Sequence, residues 1–505
     1  MRVLWMKQVN DIGLIFPGWT PVAGYDSVSV LEGRVAPIID KEEEHEKDHE
    51  ERGEYRGPHI SGNDFPFSHY THDFCFKIHP DSNYRYMLSR YVEKTVKNGV
   101  TSLDTVYRHE MDVEWESGLG AGNNGNPCSE PNNRGESCGF STKGHKRAEA
   151  IWQWPSIGDW VHVEGLWIWD RGHPPAETEI HPIRFMAVQR NLPDTVDTKF
   201  ATRVDLFANS EGGALQNNWP RQESYVKHTN MASKDYIVEL KNTLPRPSPL
   251  SRLRFAIKPH PENTFQAEVG IEVVDEKAGK VKITVPWKSA SESNESLLAQ
   301  SVFLYWDEGK GVPEDYPIYS VSISLDKLIF QLFREWPGTR AELRMFWEVG
   351  GQYYFLNELV KAKEVINGGL GKTVLPLWSF KKTANFFVPA DRYFRIQIRG
   401  WEADGVDKTF GHLIDPHSPC DSETKTEFNK RLINLWPIGF GSCLDDPAGE
   451  TELIYKPKDF WPNQELELLS HRGQHEDFCP GSSGNAEDHW RATLTLSKLL
   501  LNGKE

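Results

Sequence analysis

Cysteines, long apolar runs and surplus basic residues are all scarce in this sequence. Its 505 residues include six cysteines, too few for a disulfide scaffold, and no two of them form a C-x-x-C zinc motif. No stretch approaches the roughly 18 consecutive apolar residues of a membrane-spanning helix, and the first residues do not form a signal peptide. We therefore expect a soluble, cytoplasmic protein.

The charge balance argues against two classes of partner. The chain carries 57 basic and 73 acidic residues, which gives a net charge of −16. A general nucleic-acid binder needs a basic surface to displace the counterions of the phosphates, and a protein that docks on anionic lipids needs one as well. We expect neither nucleic acid nor a membrane as partner, and a small molecule or a glycan as substrate.

Alternation of apolar and polar residues is the main pattern present, and it is typical of β-strands. Hydrophobic residues make up 38% of the chain, with 18 tryptophans among them, so a core is easily formed. The pattern predicts strands at 74–78, 111–116, 160–169, 178–188, 235–240, 252–257, 268–274, 280–285, 301–306 and 393–398. Gly350-Gly351 predicts a tight hairpin turn within 345–355, because glycine adopts the positive φ that such turns need.

The length suggests about three domains at roughly 150 residues each. We predict an N-terminal β-rich domain at 1–193, a second β-rich domain at 200–312, and a sandwich-like domain with C-terminal helices at 313–505. Helical spacing predicts helices at 84–97, 423–435 and 487–501. The expected fold class is mainly β, a multidomain arrangement of β-sandwiches or β-barrels with a few short covering helices.

Three segments match the residue pattern of a catalytic motif, but their neighbouring residues do not fit the structure that each motif requires. The H-E-x-x-H match at 45–49 lies among glutamates, with no apolar face to bury. The G-x-G-x-x-G match at 120–125 is followed by prolines instead of a helix. The G-x-S-x-G match at 135–139 has no apolar strand before it. No motif is specific enough to assign the chain to a family.

One cluster of metal-ligand residue types remains, between residues 170 and 181. Asp170 ends a predicted strand, His173 lies in the turn, and Glu179 and His181 share one face of the next strand, because strand side chains alternate. Two imidazoles and a carboxylate form a ligand set that divalent metals accept. We predict His173, Glu179 and His181 as metal ligands, with zinc as the first candidate ion and iron or manganese as alternatives.

Residues from two other predicted strands complete the candidate site. We predict catalytic roles for Asp170, His72 and Glu114, with Asp170 or His72 acting as general base or orienting a metal ligand. Glu114 belongs to an acidic strand face at 110–116, which repels itself unless a cation or basic groups neutralise it. Ordinary salt bridging is the alternative interpretation of that run.

These residues favour a metal-dependent enzyme, with a hydrolase as the first candidate, whose site lies in the N-terminal β domain. An iron oxygenase could use the same ligands. A metal-free acid/base enzyme with the same cluster is one alternative. Another is a non-catalytic multidomain β protein that binds a glycan or a protein partner through its tryptophans. A calcium site at 402–407 in the C-terminal domain is a lesser expectation.

Overall fold

The computed structural model describes residues 19–23, 27–36, 59–63, 72–97, 100–116, 155–170, 177–209, 234–240, 243–259, 268–287, 297–308, 312–332, 340–341, 343–355, 366–367, 377–402, 446–459, 463–470 and 489–502. Strands dominate this part of the chain, which confirms the mainly β prediction. None of its helices combines the length and the apolar character needed to cross a bilayer.

The strands are numbered in chain order. The first half of the chain contributes β1 (Trp19–Pro21), β2 (Val28–Val35), β3 (His59–Asn63), β4 (His72–Pro80), β5 (Arg90–Lys97), β6 (Val100–Tyr107), β7 (Met111–Glu116), β8 (Trp160–Asp170), β9 (Glu177–Gln189), β10 (Asp194–Val196), β11 (Lys199–Asn209), β12 (Lys234–Leu240) and β13 (Leu253–Pro259). The second half contributes β14 (Gly270–Asp275), β15 (Lys280–Trp287), β16 (Leu297–Trp306), β17 (Ile318–Leu332), β18 (Arg340–Ala341), β19 (Leu343–Val349), β20 (Gln352–Phe355), β21 (Ile366–Asn367), β22 (Leu377–Pro389), β23 (Phe394–Glu402), β24 (Asp446–Tyr455), β25 (Gln464–Leu469) and β26 (His489–Asn502).

Five strands of the largest sheet close into a barrel, in the order β2-β4-β7-β9-β8 and back to β2. All the pairings around the barrel are antiparallel except that of β7 with β9, which is parallel. This is a five-stranded Greek-key barrel, a type that includes the OB-fold. Such folds carry many unrelated functions, so the barrel alone names none.

Apolar side chains from all five barrel strands form one buried cluster. Leu31, Phe76, Val113, Val163 and Ile180 represent the five strands in it. Val113, Val163 and Ile180 each lie between two polar residues, whose side chains point to the opposite face because successive side chains on a strand alternate. The polar residues described below therefore face away from this core.

The same sheet continues from β9 through β11 and β16 to β13, beyond the barrel. Its outer face packs against a three-stranded sheet of order β12-β15-β14, and side chains of both sheets share one buried cluster. The sheet thus runs across residues 193–200, where the first predicted domain boundary lies. The division into three domains stays a prediction.

The last part of the chain forms a β-sandwich. One of its sheets has the order β22-β17-β26-β25 and the other β20-β19-β23-β24, and both contribute to a single buried cluster. The predicted hairpin at 345–355 is confirmed. Gly350 and Gly351 connect β19 to β20 with positive φ angles of 54° and 77°.

Two of the predicted helices are wrong. Residues 84–97 form a single 3-10 turn, Arg85–Met87, and then β5. Strand β5 pairs with β6 so that Lys97 lies opposite Val100. The intervening Asn98-Gly99 is a strong sequence signal for a hairpin. Alternation is the better guide here.

The helix predicted at 487–501 is also wrong, because the chain forms β26 over His489–Asn502. Trp490, Ala492, Leu494 and Leu496 are all buried, with a period of two. This two-residue period is that of a strand and not of a helix. The third predicted helix, at 423–435, lies outside the described residues.

Candidate functional site

Strand β9 presents two polar side chains on the outside of the barrel. Glu179 and His181 flank Ile180, which is buried in the barrel core. Strand β7 runs parallel to β9 at this point, and Asp112 lies opposite Glu179. The face of β7 that carries Glu114 therefore lies beside Glu179 and His181, because Glu114 is two residues beyond Asp112.

Glu114, Glu179 and His181 form a compact buried cluster. Each offers one potential ligand atom, and these atoms lie within 4.8 Å of one another. The residues are 6%, 3% and 0% exposed, respectively. Nδ1 of His181 lies 2.6 Å from Oε2 of Glu114. This contact places a carboxylate directly beside the imidazole ring.

The charges of this cluster do not cancel among its own members. The cluster itself contains two carboxylates and one imidazole, which carries a single positive charge when it is protonated. Burial makes such an imbalance costly unless another cation compensates it. With a neutral imidazole, a divalent cation would balance the two carboxylates, and this donor set suits zinc, iron or manganese.

The other predicted site residues lie on or beside the same strands. Asp170 is the last residue of β8, where the strand register places it opposite Glu177. His72 begins β4, three residues before Cys75, which pairs with Glu114. His173 lies outside the described residues. The sequence alone did not show how these chain segments lie relative to one another. In the structure they run in neighbouring strands, and Glu114 is the side chain that completes the cluster.

Two other carboxylates of the acidic face at 110–116 contact basic residues of strand β4. Lys77 Nζ lies 3.5 Å from a carboxylate oxygen of Asp112, and His79 Nε2 lies 3.4 Å from one of Glu110. Ordinary salt bridging therefore accounts for Asp112 and Glu110. Glu114 differs from them because its contact is a buried imidazole.

A second buried polar cluster was missed by the sequence analysis. His162 on β8 contacts Glu32 on β2 through Nδ1 at 2.9 Å and Glu164 on its own strand through Nε2 at 3.3 Å. All three residues are buried. His162 and Glu164 alternate with Val161 and Val163 of the barrel core, so this cluster also lies on the outside of the barrel. Two polar residues at alternate positions of an otherwise apolar strand were the available signal.

The two carboxylates control the charge of His162. Burial alone would lower the pKa of the imidazole, but the hydrogen bonds and charges of Glu164 and Glu32 outweigh it and raise the pKa above its ordinary value. The hydroxyl of Tyr84 bonds to Glu32 and extends this network. The two carboxylates therefore favour the protonated form of the imidazole that lies between them.

This arrangement predicts a pH-dependent contribution to stability. Because the pKa of His162 is raised in the folded chain, its contribution is complete below about pH 6.5, the unfolded value, and is lost as the pH rises through the folded value. We expect His162→Gln to cost more free energy of unfolding at about pH 6 than at about pH 9. Urea unfolding of both proteins at the two pH values measures this. A cost that grows with pH would contradict it.

Tryptophans whose burial the structure describes belong mainly to the core. Trp287, Trp306, Trp347 and Trp490 are fully buried, and Trp167 packs partly buried against the barrel core. These side chains stabilise the fold and leave little aromatic surface for stacking on a sugar. The predicted calcium site starts at Glu402, the last residue of β23, and otherwise lies outside the described residues.

The chain matches no protein-family model and no curated protein. The function must therefore be argued from the site.

Proposed function

We propose that this protein is a metal-dependent enzyme, with hydrolysis as its reaction, and that its divalent cation is held beside β9. The observation that carries the proposal is the buried cluster of Glu114, Glu179 and His181, with potential ligand atoms within 4.8 Å of one another. Buried carboxylates and imidazoles in such proximity are a metal donor set.

His181 and Glu179 are the proposed ligands within the described residues, and His173 is the predicted third. Oε2 of Glu114 lies 2.6 Å from Nδ1 of His181. Histidines that bind metals commonly place a carboxylate at the second ring nitrogen, and this carboxylate fixes the tautomer and the ring orientation. Glu114 is therefore proposed as the residue that orients His181.

A bound divalent ion would lower the pKa of a water molecule toward neutrality and so supply a hydroxide for hydrolysis. Asp170, at the end of β8, and His72, at the start of β4, are the proposed proton acceptors or orienting groups. Zinc is the first candidate ion, and iron or manganese are the alternatives.

Metal analysis of the purified protein tests the proposal. We expect about one divalent ion per chain after incubation with zinc, manganese or iron under reducing conditions. Occupancy should fall below about pH 6, since an imidazole must be deprotonated to bind a metal. A chelator-sensitive activity on a panel of esters, phosphoesters and glycosides would assign the reaction. An absence of metal under all these conditions would refute the metal site.

A metal-free acid/base enzyme is the second candidate, and the 2.6 Å contact between His181 and Glu114 favours it specifically. A carboxylate beside an imidazole stabilises the protonated ring that a general base forms. Activity that survives chelation and disappears in His181→Ala would select this candidate over the metal enzyme.

A further inference from the structure

Three arginines line a cavity of about 50 Å³ where the barrel sheet meets the C-terminal sandwich. Arg34 comes from β2, Arg190 follows β9, and Arg392 lies between β22 and β23. Tyr316, just before β17, also lines the cavity, and none of the described residues that line it is an aspartate or a glutamate. The cavity is therefore a basic site inside an acidic protein.

The charge of Arg190 is already compensated. Its Nε lies 2.7 Å from Asp205, and its Nη1 lies 3.1 Å from Asp159. Both aspartates are buried. These two ion pairs fix the guanidinium of Arg190 as part of the cavity wall.

Arg34 and Arg392 are not compensated in this way. Arg34 donates one hydrogen bond from Nη1 to the carbonyl of Gly158 at 3.0 Å, and the described residues supply no carboxylate that forms an ion pair with it. The side chain of Arg392 is 39% exposed, and its Nε lies 3.8 Å from the exposed carboxylate of its neighbour Asp391. The hydroxyl of Tyr316 holds Arg392 by a hydrogen bond.

The two guanidinium groups act on each other. Burial lowers the pKa of Arg34, and the positive charge of Arg392 lowers it further, against the opposing pull of Asp81 and Asp159. Two like charges that face one cavity repel each other, and an anion between them would remove this repulsion.

We propose that this cavity binds the oxyanion group of a small ligand, a phosphate or a carboxylate, between Arg34 and Arg392. Planar guanidinium groups bind such groups through paired, charge-assisted hydrogen bonds. The volume of about 50 Å³ corresponds to a few water molecules, at roughly 10–15 Å³ each on this measure, and suits one tetrahedral or planar oxyanion.

Because of the location of the cavity, a bound ligand would also stabilise the folded structure. The cavity walls come from the barrel sheet, from the segment after β12 that contains Thr243, and from the C-terminal sandwich. A ligand that binds only the folded junction stabilises it by mass action. This site is separate from the proposed metal centre, and the inference does not depend on that centre.

Titration with inorganic phosphate tests the inference. We expect saturable binding by calorimetry at or below about 1 mM, together with a rise in the thermal midpoint beyond that given by sodium chloride at equal ionic strength. Arg392→Gln should weaken binding at least about tenfold, and so should Arg34→Gln if it folds. Arg491→Gln is the matched control, because Arg491 has the same side-chain exposure of 39% on β26 and pairs with Glu467 away from the cavity.

A parallel titration with acetate identifies the source of the oxyanion. Saturable acetate binding that Arg392→Gln weakens assigns a carboxylate ligand, and phosphate binding alone assigns a phosphate ligand. Phosphate and acetate that both stabilise no more than chloride would overturn the inference. Binding that is unchanged in Arg392→Gln would overturn it as well, and this variant changes an exposed side chain that the fold tolerates.

Discussion

Replacing Glu348 with alanine should lower the free energy of unfolding by about 3–5 kcal/mol. Glu348 on β19 and Arg395 on β23 are 0% exposed, and Arg395 Nε lies 2.5 Å from Oε2 of Glu348. The other carboxylate oxygen accepts hydrogen bonds from Ser156 Oγ at 3.1 Å and from the backbone N–H of Gly351 at 2.7 Å. Alanine would leave the guanidinium buried without its carboxylate, which is the costly way to break a buried ion pair.

The effect should extend beyond the sandwich. Ser156 precedes β8 of the barrel, so its hydrogen bond to Glu348 links the barrel sheet to the C-terminal sandwich. We therefore expect Glu348→Ala to destabilise the junction of the two as well as β19 itself. Urea unfolding followed by far-ultraviolet circular dichroism and by tryptophan fluorescence measures both.

Glu467→Ala is the matched control for this change. Glu467 pairs with Arg491 at 2.9 Å on neighbouring strands of the same sandwich, but the two side chains are 52% and 39% exposed. Exposed ion pairs contribute less than about 1 kcal/mol. Equal losses in the two variants would show that burial does not set the value of the Glu348–Arg395 pair.

Local patterns in the sequence predicted local structure well. The pairing of β8 with β9 follows from alternation on both sides of one turn, and it joins Trp169 to Thr178 as a hairpin should. The turn at Gly350-Gly351 follows from the glycines alone. The helices predicted from spacing at 84–97 and 487–501 are instead strands β5 and β26, because residues of both segments alternate with a period of two.

Contacts between distant parts of the chain were beyond the sequence. Glu32 meets His162 across 130 residues, and only the closure of the barrel pairs their strands. The parallel pairing of β7 with β9 brings Glu114 to His181 in the same way. The sequence shows the residue types, and Glu114 is among the predicted site residues. The sequence does not show which side chain Glu114 contacts, because that depends on how distant strands pair.

Replacing residues of the proposed metal centre should separate ligands from the residue that orients them. We expect His181→Ala and Glu179→Gln to weaken zinc binding more than about 100-fold, because the first removes a donor atom and the second replaces an anionic donor by a neutral amide. Glu114→Gln should weaken it only about 10–100-fold, the range for a residue that acts through a ligand. Competition titration against a zinc-binding dye measures all three.

His79→Ala is the control for these variants. His79 lies on neighbouring β4 and also faces a carboxylate, Glu110, at 3.4 Å, but its side chain is 39% exposed. It should bind zinc as wild type does, because an exposed histidine–glutamate pair lacks the buried second carboxylate that Glu179 supplies. Equal losses in Glu114→Gln and Glu179→Gln would make Glu114 a ligand itself, since a residue that only orients His181 leaves every donor atom in place. If His181→Ala bound zinc with the affinity of wild type, this cluster would not be the zinc site. The contact between His181 and Glu114 would then be that of an acid/base pair.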